Sequence, residues 1–248
     1  MYVMNPSEKV KYISNWIKSY VDKMPSKAQA LVIGISGGID SSVSSTLSAM
    51  TGLKTIVLSM PIKQIENQHD LSLKHQNWLV EKFKNVEAHT LSLDQLFNSF
   101  SSTLNKFDNE HGFANSRARL RMAALYQVAA ANKGIVVGTG NKVEDFGVGF
   151  YTKYGDGGVD ISPIADCNKT EVWELGKELG ILKEIIDAPP TDGLWDDGRT
   201  DEGQLGFSYK DLEDAMKNPD SPHKTEYEKI RKQNLHKMEP IPVCKIPS

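Results

Sequence analysis

ALVIGISGGIDSS, residues 30–42, is the stretch that decides the fold. From Ala30 to Ile35 it is apolar and partly β-branched, without the polar alternation of a half-exposed strand, so it reads as a strand buried on both faces. Ser36, Gly37 and Gly38 break the run, and from about Ser41 to Met50 the chain reads as a helix. Working outward, the same alternation recurs. TIVLSMP (55–61) reads as a second strand. Residues 67–83 read as a helix with Leu71, His75, Trp78, Leu79 and Phe83 on one stripe. VEAHTLSL (86–93) is a third strand, 93–105 and 115–132 are helical, and GIVVGT (134–139) is another buried strand. Ahead of them Val10, Ile13, Ile17, Val21 and Met24 recur at three and four residues until Pro25, an amphipathic lead-in helix. Strands alternating with helices predict an α/β fold, a doubly wound parallel sheet flanked by helices.

At 248 residues the chain fits one large α/β domain. Its expected parts are a lead-in helix (1–28), an α/β core (29–188), a lid loop (189–204) and C-terminal helices with a tail (205–248). Helical pieces are expected at about 169–179, 209–217 and 223–234. The 39% hydrophobic and 25% charged residues disfavour disorder, collagen and coiled coil, and the apolar runs are far too short for a bilayer. MYVMNPSEK lacks the features of a secretory signal, and Cys167 and Cys244 stand far apart without a CxxC. A cytoplasmic location with no membrane partner is therefore expected. A net charge of −3 speaks against a whole-surface grip on nucleic acid, and none is expected as a partner.

The turn Ser36-Gly37-Gly38-Ile39-Asp40-Ser41-Ser42 lies between a buried strand and a helix N-terminus. There, unpaired backbone N–H groups, close-approaching glycines and serine hydroxyls make an anion cradle. A solvated turn with a capped helix is the bland alternative. No GxxxxGK[ST] or GxGxxG occurs, which excludes a Walker P-loop and the usual dinucleotide fingerprint. The informative residue is Asp40. An acid inside a phosphate cradle repels its ligand unless a divalent cation lies between them, so Asp40 implies Mg²⁺. Glu144 lies just beyond a strand's carboxyl end, where doubly wound sheets place ligands, with Asp145 as its adjacent competitor. Loops 146–160 and 189–204 carry the glycines, aromatics and acids expected of binding segments. The second has little to bury and reads as a lid over the bound ligand.

SGGIDS resembles the signature of the PP-loop ATP pyrophosphatases, which grip the β and γ phosphates of ATP and cleave it between α and β. GTGNKVE (138–144), YTKYGDGGVD (151–160), Asn115 to Arg119, Lys169, Thr191 and His236-Lys237 follow in order. Over roughly residues 30 to 237 this string is similar to the NAD⁺ synthetases, and the resemblance implies an adenine nucleotide alpha hydrolase-like fold with Rossmann-type layering. It further implies that Gly34, Ile35, Ser36, Gly37, Gly38, Ile39, Asp40, Ser41 and Thr139 hold ATP, assisted by Lys169 and Thr191. Asp40, Lys169 and Thr191 would act at the reacting phosphates, and Asp40 and Glu144 would ligate Mg²⁺. Arg119, Lys153, Asp160, His236 and Lys237 would contact deamido-NAD⁺. Arg119 with Arg117 and Arg121 also reads as a solvated helix face, and His236 as a helix-end charge.

The reaction implied is ammonia-dependent amidation of deamido-NAD⁺ through an acyl-adenylate, releasing AMP and pyrophosphate, by a homodimer whose dinucleotide site is shared. Nicotinate mononucleotide as substrate, a PP-loop tRNA-modifying enzyme and a non-catalytic nucleotide module are the alternatives. Free ammonia is the expected nitrogen donor, because neither cysteine has the surroundings of an activated nucleophile. The resemblance departs at Gly140-Asn141, where many members carry an acid and a histidine. Trp173, Trp195 and Met122 read as packing or loop anchors.

Overall fold

The computed structural model describes residues 4–63, 66–191 and 200–247. Their element order is α1 (Pro6–Lys23), β1 (Ala30–Gly34), α2 (Ile39–Met50), β2 (Lys54–Ser59), α3 (Glu66–Lys82), β3 (Val86–Thr90), α4 (Asp94–Thr103) and α5 (Glu110–Ala131). Then come β4 (Ile135–Val136), α6 (Lys169–Leu179), α7 (Lys183–Ile186), α8 (Asp201–Leu205), α9 (Tyr209–Lys217) and α10 (Lys224–Met238). The four strands are all parallel, in the order β3-β2-β1-β4. This is the expected doubly wound sheet. Alternate residues of β1 separate into two cores. Leu31, Ile33 and Ile35 pack with α1, α2, α3 and α6, while Ala30 and Val32 pack with α4 and α5. A strand buried on both faces explains the unbroken apolar run.

α2 is polar in sequence yet buried almost throughout, from Ile39 to Ala49. Most of its hydroxyls bond back to the helix: Ser42 Oγ donates to Gly38 O, Thr46 Oγ1 to Ser42 O and Ser48 Oγ to Ser44 O. Ser45 Oγ lies 3.0 Å from Nε2 of His75 in α3, and burial holds the His75 imidazole down at about 4.

The chain winds from β1 outward to β3, then returns through α5 to place β4 on the other side of β1. A crevice opens at the carboxyl ends of β1 and β4, the topological switch point. Beyond β4, residues 142–148 form a π-helical turn where a loop was expected from 146. A third core of Val143, Val148, Tyr209, Leu212, Ala215 and Tyr227 joins this turn to α9 and α10. The lead-in helix starts earlier than its apolar periodicity suggests. Asn5 and Glu8 form a reciprocal capping box around Pro6, a start signal present in the letters NPSE. Among the described residues no helix is long and apolar enough to cross a membrane. Residues 192–199, with Trp195 and the middle half of the expected lid, lie outside the described residues.

Candidate active site

A cavity of about 490 Å³ occupies the switch point. It is lined by Gly34 to Ser41 after β1, Val137 to Gly140 after β4, Glu144, Lys169 and Thr191. All the residues expected at ATP therefore converge on it, with both expected metal ligands. Gly37 takes φ +92°, a conformation an L side chain resists, and turns the chain so that Gly38 becomes the N-cap of α2. Gly38 has no side chain to cap the first turn. Ser36 Oγ accepts the Gly38 N–H at 3.2 Å and lies 3.1 Å from Ser41 Oγ, which donates to Gly38 O. The serines thus brace the turn from within, while the glycine cap leaves first-turn N–H groups for an anion.

Three charged side chains meet at the floor. Lys169 Nζ donates to Asp40 Oδ2 at 2.5 Å and to Glu144 Oε1 at 3.0 Å. Each comes from the end of a different element: Asp40 from the first turn of α2, Glu144 from the π-helical turn, and Lys169 from the start of α6. Asn141 supports the group. Its Nδ2 donates to Asp40 Oδ1 at 3.2 Å, and its Oδ1 accepts from the N–H groups of Val143 and Glu144. Burial, aided by the neighbouring Glu144, pushes the Asp40 carboxyl up. Burial also opposes the Glu144 charge, but Lys169 and the Tyr209 hydroxyl outweigh it and hold this carboxyl below its ordinary value. The two carboxylates overcome burial at Lys169 and keep it charged.

Asp145, the competitor for Glu144, faces a different neighbour. A Cβ on Gly140 would lie 2.0 Å from Asp145 Oδ2, so the carboxyl fills the space that a side chain at 140 would need. The departure at 140 and the acid at 145 are thus one structural choice. Burial and the nearby Glu144, Asp156 and Asp40 push Asp145 well above the usual carboxylate range. Arg121, Asp156 and Asp201 also line the cavity and were missed by sequence reasoning. Arg121 sits one turn from Ala118 on α5, so the helical spacing of the arginine run held a signal for it. Met122 lines the cavity as well, whereas Trp173 packs edge-on against Tyr209.

None of the five residues expected at the dinucleotide lines this cavity. Arg119, Lys153, His236 and Lys237 gather on an adjoining surface. Arg119 Nε donates to Lys153 O, Lys153 Nζ to His236 O at 2.8 Å and Lys237 Nζ to Tyr151 O at 2.9 Å. Asp160 braces β4, accepting from Val136 N at 2.7 Å and from the Tyr126 hydroxyl at 3.1 Å. Residues 155–159 join the two regions, since Gly155, Asp156, Gly158 and Val159 form part of the cavity wall.

Comparison with known proteins follows the same motifs. The model of a family described as NAD synthase matches residues 9–246. The chain belongs to the NAD synthase family. An NH(3)-dependent NAD(+) synthetase of Carboxydothermus hydrogenoformans is 37% identical over 216 residues, covering 85% of each chain. One from Syntrophomonas wolfei is 33% identical and covers 98% of each. A solved structure of NMN synthetase from Francisella tularensis superimposes with a TM-score of 0.90 at 32% identity, over 98% of this chain and 100% of that one. Membership of the NAD synthase family carries the PP-loop fold class for the parallel sheet described above.

Proposed function

We propose that this chain is an ammonia-dependent NAD⁺ synthetase that converts deamido-NAD⁺, ATP and ammonia into NAD⁺, AMP and pyrophosphate. The observation carrying this reading is the convergence of Asp40, Lys169 and Glu144 beside the glycine turn, in a chain of the NAD synthase family. A carboxylate is a poor electrophile. A nicotinate oxygen attacks the α-phosphorus and pyrophosphate leaves, after which the ammonia lone pair attacks the acyl carbon and AMP leaves. The protein needs no side-chain nucleophile, so positioning and charge neutralisation carry catalysis. The N–H groups after Gly38, with Ser36 and Ser41, hold the terminal phosphates; Lys169 and Thr191 face the reacting phosphorus.

Asp40 and Glu144 fit a magnesium ion: they offer hard oxygens, and both already approach one cationic centre, the Lys169 ammonium. Bound there, Mg²⁺ would supply neutralisation of phosphate charge. Lys169 would then turn its ammonium toward the nucleotide. Arg119, Lys153, Asp160, His236 and Lys237 contact the dinucleotide, the bases through its phosphates and Asp160 through oxygens that retain lone pairs. A homodimer sharing this surface, in the cytoplasm, completes the reading. Free ammonia is the donor. Burial pushes the Cys167 thiol up to about 11, which suits packing and not nucleophilic glutamine hydrolysis.

Nicotinate mononucleotide is the second reading, favoured by the likeness to the Francisella tularensis NMN synthetase. Both substrates present the same nicotinate carboxylate. The test is pyrophosphate release with deamido-NAD⁺ and with nicotinate mononucleotide in parallel, each with ammonium or glutamine. Higher kcat/KM for deamido-NAD⁺ with ammonium supports the main reading, preference for the mononucleotide supports the second, and release with neither overturns both.

A further inference from the structure

Helix α9 touches the charged group from behind, through two residues that no expectation singled out. Tyr209 and Glu213 stand four apart, on one face of the helix, and are 1% and 8% exposed. The Tyr209 hydroxyl donates to Glu144 Oε1 at 2.6 Å and lies 3.2 Å from Asp201 Oδ2. A phenol has one proton, and the shorter contact takes it. The ring meets Trp173 edge-on with centroids 5.9 Å apart, and Lys169 Nζ lies 4.9 Å from the Tyr209 ring centroid. Glu213 reaches α6, accepting from Thr170 N at 2.9 Å and from Thr170 Oγ1 at 2.7 Å. That N–H is one of the orphan donors of α6, adjoining Lys169 in the chain, and it is capped from another helix. α9 therefore fixes both partners of one ion pair: Glu144 through the phenol, and the helix start bearing Lys169 through the carboxylate.

We propose that Tyr209 and Glu213 are positioning residues that set the Glu144 and Lys169 geometry needed to bind a divalent cation and nucleotide together. This inference rests on the proposed function. The Tyr209 proton saturates part of Glu144 Oε1 and restricts carboxylate rotation, so cation binding meets a carboxylate already aimed. Asp201 Oδ2, near the start of α8, packs against the same phenol oxygen at 3.2 Å. Tyr209 also donates its backbone N–H to Glu202 Oε1 at 2.9 Å, which ties the start of α8 to the same point.

Mn²⁺, read by its electron spin resonance signal, serves as the cation probe with α,β-methylene-ATP present. Wild type, Y209F, E144Q and the double variant are compared, with the melting temperature of each. Y209F keeps the ring and is expected to weaken Mn²⁺ binding about tenfold in the wild-type background but less than twofold in E144Q, because the hydroxyl acts through Glu144. Equal weakening in both backgrounds, or none, overturns the Tyr209 assignment. E213Q, which leaves the phenol in place, is expected to weaken the analogue about fivefold through Lys169; unchanged analogue binding overturns the Glu213 assignment, even if Y209F proves unstable. Failure of the wild type itself to bind Mn²⁺ with the analogue overturns the functional reading, a result distinct from loss of the variant effect.

Discussion

The floor of the cavity and the surface beside it spend their cations differently. In the floor, Lys169 is 2% exposed and its partners are carboxylates; on the adjoining surface, Lys153 and Lys237 donate to backbone carbonyls. The first arrangement is an ion group that fails when its one cation is removed, because two carboxylates then stay buried with unbalanced charge. The second is a set of side chains resting on backbone carbonyls, Lys153 on His236 O at the end of α10 and Lys237 on Tyr151 O in the preceding loop, without a carboxylate partner to strand. Placement thus separates residues whose loss is expected to cost the fold as well as activity from residues whose loss is expected to leave the fold intact.

Lys169→Met is the strongest test of that contrast. It strands Asp40 and Glu144, and the expected destabilisation is about 3–5 kcal/mol by urea unfolding near neutral pH, with pyrophosphate release lost. The deficit should shrink on acidification, as the stranded carboxylates protonate. It should also be partly recovered in the Asp40→Asn, Lys169→Met double variant. Asp40→Asn alone keeps the Lys169–Glu144 contact and is expected to retain the fold while losing adenylation. A stable, active Lys169→Met protein would remove the distinction between the two regions.

Behind the floor, His75 makes the buried region sensitive to acid. Its unfolded value is 6.5 and its folded value about 4, depressed by burial. The unfolded chain therefore takes up a proton that the fold refuses. The contribution is fully present above pH 6.5 and declines as pH falls toward 4, by about 3 kcal/mol in all. Urea midpoints of the wild type should fall across that window more steeply than those of His75→Gln. Identical slopes would show that the imidazole charges without cost.

Much of the fold was legible because β1, β2 and β4 keep the composition of buried strands, β3 lies half-exposed at the sheet edge, and SGGIDS announces the turn. The cavity-lining residues were legible for the same reason: Gly34 to Ser41, Thr139 and Glu144 are local to strand ends, and a doubly wound sheet fixes where those ends meet. Other features were hidden by long-range packing. α2 reads as polar, since its serine back-bonds are invisible in a hydrophobicity pattern. The 142–148 turn has no period of its own; it is held by packing against α9 and α10. Tyr209 and Glu213 are ordinary residues of an amphipathic helix until α9 is placed against Glu144 and Thr170. Asp145 gained meaning only with the gap at Gly140.

Gly140→Ala probes the edge between the two regions. The added carbon would overlap the Asp145 carboxyl, so the side chain or the turn must move, at an expected cost of about 1–3 kcal/mol. Asp145→Ala should remove most of that cost in the double variant, measured as non-additivity of unfolding free energies. Additive losses would mean that Gly140 is needed for its backbone and not for the space it leaves.

The smallest effect on stability is expected at the surface, with Lys153→Ala. Its ammonium lies at the C-terminal end of α10, donating to His236 O, while the Tyr151 hydroxyl donates to Lys237 O at 2.5 Å. A cation at that end interacts favourably with the helix dipole and its orphan carbonyls, but an accessible one contributes only about 0.3–1 kcal/mol. Water takes over the vacated carbonyl, and the Tyr151 contact stays. The unfolding midpoint should therefore move little. If the same ammonium leaves the helix end to meet a dinucleotide phosphate, its removal raises KM for deamido-NAD⁺ about tenfold while KM for ATP stays within twofold. Added salt should narrow that difference, since the contact is screened. An unchanged dinucleotide KM would make Lys153 a helix cap alone, and a parallel rise in the ATP KM would erase the division between floor and surface.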